Sequence, residues 1–265
     1  MIPFFRKIRK KMADDNKPIK YMRYAIGEIL LVVIGILIAL SINNWNELRK
    51  AKIVEQSYLI RLSTELRNDK KLLLFSRELS KIRMDQIHLL NEVILNPNLS
   101  IEEPYEIIES IEKVTWLSYL PIARIVYNDL LNSGNMSLIQ SEKLRNQLAI
   151  YYGDIEGWES ILSAKSAQIE FSAATAGLLS IEMLTAVENS ESNDPTKSKN
   201  FELEISEKDL KKIISELSSN NDAIKWLPQI YHYHILSDKV IEQFIVNVDS
   251  LLKLFEEELQ IKTKE

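Results

Sequence analysis

The 265-residue chain contains no cysteine, so it can form no disulfide, thiolate metal site or cysteine nucleophile. Glycine occurs six times and proline seven. Strand-rich folds with many tight turns draw heavily on both residues, so their scarcity points to helices. Gly-rich phosphate loops, the paired-histidine zinc helix and the serine elbow are missing as motifs. Histidine occurs three times. His232 and His234 would point about 160° apart on a helix and cannot share a metal ion without a break. His234 and Asp238 share a face, and His88 stands alone; all three histidines read as ordinary surface or core residues. The carboxylates lie mostly in Glu/Lys patterns of solvated helix faces, as in the run Glu256, Glu257, Glu258. Asp129 with Glu156, or Glu102 with Glu103, could be paired as acid and base, but their spacing favours surface charge. The expectation is a non-enzyme with no cofactor and no metal site.

One stretch is unlike the rest. From Ile29 to Ile42 there is no charge and a single hydroxyl, Ser41. The 19 residues from Tyr24 to Ile42 make roughly 28 Å of helix, close to the ~30 Å hydrocarbon core of a bilayer. A buried core helix is rarely apolar on every face. A cleavable signal peptide would fit Ala39-Leu40-Ser41, but the apolar run is long for one and Trp45 follows it. The reading is a transmembrane helix over 24–45. Residues 1–24 hold eight Lys/Arg against Asp14 and Asp15, whereas Arg49, Lys50 and Lys52 follow the span. The positive-inside rule then expects residues 1–23 in the cytoplasm and residues 46–265 in the periplasm of a bacterial inner membrane, with Tyr21 and Tyr24 as inner and Trp45 as outer interfacial anchors. Residues 2–12 read either as an interfacial amphipathic helix, with Phe4, Phe5, Ile8 and Met12 on one face, or as a disordered basic leader. So short a leader leaves no room for a cytoplasmic output domain.

Glu28 stands inside this segment. It reads as a headgroup-level carboxylate near the positive end of the helix dipole. Its spacing offers a second reading. Glu28, Val32, Gly35, Ala39, Ile42 and Asn46 follow alternating steps of four and three and stay within about 40° of one line on a helix. The small pair Gly35 and Ala39 would allow a second helix to approach closely.

The charge is divided: residues 1–24 carry a net +6 and the remainder −11. The acidic remainder argues against a nucleic-acid partner, and the basic end suits anionic lipid. With 46% hydrophobic residues the chain is not disordered. No proline or glycine occurs from Asn43 to Leu95, so one long helix is expected to continue from the span. Its apolar stripes are Leu59, Leu62, Leu66, Leu73 and then Leu79, Ile82, Leu89, Val93, and Asn96-Pro97-Asn98 stops it. A capping box at Ser100–Glu103 starts a helix to about Trp116, and Pro121 starts another through Leu131. Gly134 is the expected residue just past that helix, and Ser137–Gln140 is a further possible box. Residues 141–187 read as a second long helix with weak points at Gly153 and Gly157. Residues 188–205 form a loop with an extended piece at Phe201, Leu203 and Ile205. Ser206 with Asp209 caps a helix to Leu217, Asn220-Asn221-Asp222 breaks it, and a last helix runs to Leu259 before a charged tail. The fold expected is all-α: an N-terminal transmembrane helix continuous with a long exterior helix, followed by an elongated antiparallel helical bundle.

The segment GEILLVVIGILIALSINNWNE at 27–47, after a basic leader with a phenylalanine pair, resembles the opening of an uncharacterised family of single-pass inner-membrane proteins from Bacteroidota. YNDLLNSGNMSLI at 127–139 and LRNQLAIYY at 144–152 are similar to that family's second signature. The resemblance implies membrane placement and a helical exterior domain, and supplies no chemistry. The function expected is that of a membrane-anchored periplasmic scaffold or interaction protein, with the lipid bilayer and a second copy or another membrane protein as partners. The alternatives are a periplasmic ligand sensor without its own output domain, or an accessory subunit of a transport or motor complex that uses Glu28.

Overall fold

The computed structural model describes residues 18–98, 103–118, 120–163, 165–189 and 204–262. The leader helix, most of the Ser100 box, the extended piece at 201–203 and the last residues of the tail lie outside them. The described residues are helical with short connections: α1 Pro18–Leu95, α2 Pro104–Lys113, α3 Ile125–Asn132, a 3-10 turn at Asn135–Leu138, α4 Glu142–Leu162, α5 Ser166–Thr175, α6 Ile181–Asn189, α7 Glu207–Ser219, α8 Asn221–Ile224 and α9 Leu227–Lys262. The all-α expectation holds. The chain forms two compact units, residues 1–57 and 58–265.

In the first unit α1 runs uninterrupted from Pro18. Every side chain from Ile29 to Asn44 is exposed.

In the second unit α1 supplies a heptad seam. Leu59, Leu62, Leu66, Asp69, Leu73, Ser76, Ser80, Arg83, Ile87 and Leu90 are all buried, and they recur at alternating steps of three and four. That spacing holds one face toward a partner helix. The first expected stripe is this seam. Of the second only Val93 is buried: Leu79, Ile82 and Leu89 are half-buried, while Ile87 and Leu90 take the core positions. The polar residues Ser76, Ser80 and Arg83 hide the continuation of the pattern, because it survives in position and not in residue type.

Two apolar clusters form around this seam. In one, Leu59 to Leu73 pack with Leu144, Leu148, Tyr151 and Ile155 of α4 and with Val240, Phe244, Val248 and Phe255 of α9. In the other, Ile87, Leu90 and Val93 meet Ile107 and Ile111 of α2, Phe171 of α5, Leu210 to Leu217 of α7, and Ile230 of α9. Ion pairs Arg67–Glu256 at 3.5 Å, Lys70–Asp249 at 2.5 Å and Arg77–Asp238 at 3.0 Å show α9 running antiparallel to α1.

Several connections depart from the local reading, each for a tertiary reason. The helix after Pro121 starts at Ile125, because the N–H groups of Ala123 and Val126 are taken by carboxylates of α1. The expected helix over 141–187 is three helices, and neither Gly153 nor Gly157 interrupts it. The breaks lie after Leu162, whose carbonyl accepts from Tyr233 Oη at 3.0 Å, and after Thr175, where Asn220 Nδ2 donates to the Ala174 carbonyl at 2.8 Å. Helix-end carbonyls, left without intrahelical donors, need such donor partners. Ser137 caps nothing; Ser141 is the N-cap of α4, accepting from Leu144 N–H at 3.4 Å. The start of α2 also differs from the Ser100 box: the helix begins at Pro104, and Glu103 is its N-cap without a side-chain hydrogen bond. Two other caps are as expected. Ser206 Oγ accepts from Asp209 N–H at 3.1 Å, and Gly134 takes the left-handed φ of 71° just after α3.

The seam register is open to test by denaturant unfolding of the full chain in detergent. Leu90→Ala removes a side chain with no exposure and should cost about 2–5 kcal/mol, whereas Leu89→Ala next to it should cost clearly less.

Candidate functional site

Two features require explanation beyond packing: an apolar stretch of helix that is exposed among the described residues, and ionisable groups buried on the seam.

The first lies in the 1–57 unit. Helical geometry puts Glu28, Val32, Gly35, Ala39, Ile42 and Asn46 on one side of α1, as their spacing expects. Val32 is 54% and Ile42 61% exposed, Ala39 is exposed, and Glu28 and Asn46 are half-buried. A Cβ placed on Gly35 would meet no atom within 4 Å, so this face is open to a neighbour. Trp45 is exposed, with the Arg49 guanidinium 6.0 Å from its ring centroid. Tyr21 and Tyr24 lie on α1, but their side chains fall outside the described set. Among the described residues this is one helix long and apolar enough to cross a membrane.

The second lies in the 58–265 unit. Glu65 and Asp69 sit one turn apart on α1. Ala123 N–H donates to Asp69 Oδ1 at 3.1 Å, and Val126 N–H donates to Glu65 Oε2 at 3.1 Å. The second unit's α3 has no side-chain cap of its own, so Glu65 caps it from sixty residues away in sequence, near the positive end of its dipole. Tyr152 Oη donates to Glu65 Oε1 at 3.4 Å, and its ring stacks on Tyr127 with centroids 4.0 Å apart. The hydroxyl of Tyr151 and Oδ2 of Asp69 are buried without a hydrogen-bond partner. Burial pushes the Asp69 carboxyl up to about 7, with the Glu65 charge adding and the Ala123 N–H opposing. Burial first, and the two carboxylates second, hold the Tyr151 and Tyr152 phenols protonated well above their ordinary range.

The adjacent turn docks on the same face of α1. Asp129 pairs with Arg61 at 2.9 Å, Ser133 Oγ lies 3.3 Å from Tyr58 Oη, and Asn135 Nδ2 donates to Tyr58 Oη at 3.2 Å. This accounts for the polar letters of the 127–139 segment. Asp129 and Glu156 do not form an acid–base pair: Glu156 goes to Arg124 at 3.5 Å. Glu102 is outside the described residues, and Glu103 is exposed at the start of α2.

A polar layer separates the two apolar clusters. Ser80 Oγ and Ser118 Oγ are 2.6 Å apart, and Tyr233 Oη donates to the Ser118 carbonyl at 2.8 Å. His234 has no exposure and its Nε2 lies 3.3 Å from the Val114 carbonyl. That carbonyl can only accept, so the ring carries its proton on Nε2. Desolvation lowers the His234 pKa to about 4, with the nearby Arg83 charge acting in the same direction. Asp238 faces Arg77 rather than His234, His232 is exposed, and His88 Nε2 lies 3.0 Å from Tyr231 Oη. The histidines are thus core and surface groups, as expected, but sequence inspection missed Glu65, Asp69, Tyr151 and Tyr152. The available signal was a carboxylate at a heptad core position, four residues after another.

These groups oppose one another in pH. Asp69 is raised in the folded state, so its contribution is fully present below about 4 and is lost as pH rises toward 7. His234 is lowered, so its contribution is present above about 6.5 and lost as pH falls toward 4. Between these limits the two slopes largely cancel. Relative to the unaltered chain, Asp69→Asn should make stability rise with pH from 4 to 6.5, and His234→Gln should make it fall, each by at most ~1.4 kcal/mol per pH unit. Denaturant midpoints across that range measure both.

No curated protein and no solved structure matches the chain. Residues 28–156, which hold the apolar segment from Glu28 onward, the carboxylate pair of α1 and the docked 127–139 turn, match the model of a family of unknown function, DUF6090.

Proposed function

We propose that this chain is a single-pass inner-membrane protein that acts as a scaffold, pairing with a second copy through the face that carries Glu28, Gly35 and Ala39. The observation that carries the reading is that, among the described residues, every side chain of the apolar run from Ile29 to Ile42 is exposed. Apolar surface on all sides of a helix is far more than a water-soluble monomer tolerates. In lipid the same helix satisfies every backbone group internally. The basic leader favours a cytoplasmic N-terminus, which places the helical domain of 58–265 in the periplasm. Lipid covers the Ile, Leu and Val faces. The small pair Gly35 and Ala39 supports a helix partner on the remaining one, because small residues let backbones approach closely.

The absence of native cysteine makes both halves of this reading measurable. A Lys17→Cys chain should react with an impermeant maleimide only after the membrane is opened, and Lys225→Cys should react in intact spheroplasts; the reverse pattern would remove the orientation. Under mild oxidation in native membranes, Gly35→Cys and Ala39→Cys should give disulfide dimers several-fold more readily than Leu37→Cys on the far side of the helix. Equal yields at the three positions would remove self-association through this face. Loss of cellular function in Glu28→Gln with unchanged dimer yield would instead favour a protonatable role for that carboxylate.

A further inference from the structure

A cleft of about 340 Å³ lies between α1 and α2. Its α1 wall is one helical face, Ile82, Asp85, Gln86 and Leu89, and its α2 wall is Glu106, Glu109 and Ser110. The size is at the lower end of the range for small-ligand sites. Three carboxylates line it, and Asp85 and Glu106 are exposed on opposite walls. Glu109 is buried and accepts from Lys113 at 3.1 Å, so its charge is partly balanced from within the fold.

The acidic lining would mean little by itself. What distinguishes the cleft is that two of its polar groups are unsatisfied. Ser110 is 1% exposed and its Oγ has no hydrogen-bond partner. Elsewhere Thr64 of α1, Thr185 of α6 and Ser250 of α9 donate to the carbonyl four residues back, the ordinary resort of a helical hydroxyl. Gln86 Oε1, on the facing wall, is also buried without a partner. Buried oxygens left unpaired cost free energy, and the two residues that carry these line the same acidic cleft.

We propose that this cleft binds a linear organic polyamine. Its ammonium groups would pair with Asp85 and Glu106 on the two walls, and an N–H would reach Gln86 Oε1 or Ser110 Oγ. The methylenes between the charges would lie along Ile82 and Leu89, one turn to either side on α1. A metal ion fits less well. Among the described residues no three His, Asp or Glu side chains are arranged as ligands of one ion, so the negative charge is spread along the cleft rather than focused. An extended cation with separated charges matches that distribution. The phenol of Tyr105 on α2 reports the same field: burial raises it first, and Glu106, Glu103 and Glu109 raise it further. The inference does not rest on self-association of the membrane helix, and either can fail without the other.

The test is calorimetric titration of the full chain in neutral detergent with spermidine at low salt. One saturable site is expected. Asp85→Asn combined with Glu106→Gln should weaken it at least tenfold, and Ser110→Ala should weaken it severalfold without lowering the melting temperature. A charge-matched pair elsewhere, Asp154→Asn with Glu257→Gln, should leave it unchanged. Melting curves report whether each variant is folded. As a readout without charge removal, an Ile82→Cys chain should be alkylated at least threefold more slowly when spermidine is present. No saturable binding, equal loss in the distant pair, or full displacement by equimolar magnesium would each overturn the proposal.

Discussion

Asp69 gives up nearly all contact with water to hold one backbone N–H, that of Ala123. Burying a carboxylate is costly, and the group responds by keeping its proton to much higher pH than an aspartate in water. What the interaction secures is the placement of residues 121–139 along α1. Glu65, one turn earlier, caps α3 through Val126 N–H, and Tyr58 and Arg61 hold the turn beyond it through Ser133, Asn135 and Asp129. Four positions of one helix therefore organise a segment whose own residues offer neither a side-chain cap nor a regular start. Tyr127 and Tyr152 then stack between these contacts and the core of α4.

The same helix supplies both apolar clusters, and so does α9. Two helices that share a long seam of leucine and isoleucine could slide by a heptad at modest cost. Here the layer of Ser80, Ser118, Tyr233 and His234 interrupts the seam with hydrogen bonds that close in one register. Buried polar contacts of this kind specify alignment more than they add stability. The ion pairs along the rim, Arg67–Glu256 to Arg77–Asp238, are individually weak where exposed, but they agree with that register.

Read in the primary sequence, the helical class follows from what is missing, and the long helix follows from the absence of proline and glycine between Asn43 and Leu95. Two caps that depend on adjacent residues were legible, Ser206 with Asp209 and Gly134 in the left-handed region, whereas the local caps of α2 and α4 fall at Glu103 and Ser141 rather than at Ser100 and Ser137. Caps that depend on remote residues were not. Val126 borrows Glu65, the Leu162 carbonyl borrows Tyr233, and the Ala174 carbonyl borrows Asn220. For that reason the helix starts after Pro121 and the breaks within 141–187 were misplaced. The acidic cleft was equally hidden, since Asp85 and Glu106 look like solvated charges until α2 folds beside α1.

What the sequence by itself determined is therefore the helical class, the apolar run from Ile29 to Ile42 and the stripe from Glu28 to Asn46, because periodicity and composition act within a few turns of one helix. Only the tertiary structure decided that the heptad of α1 continues through Asp69, Ser76, Ser80 and Arg83. Heptad position alone hints at such a residue, and the helix that covers it decides that it is buried. Whether a carboxylate faces water, a backbone N–H or a cleft is set by neighbours tens of residues away, and on that depends whether it is a solvated charge or a structural cap.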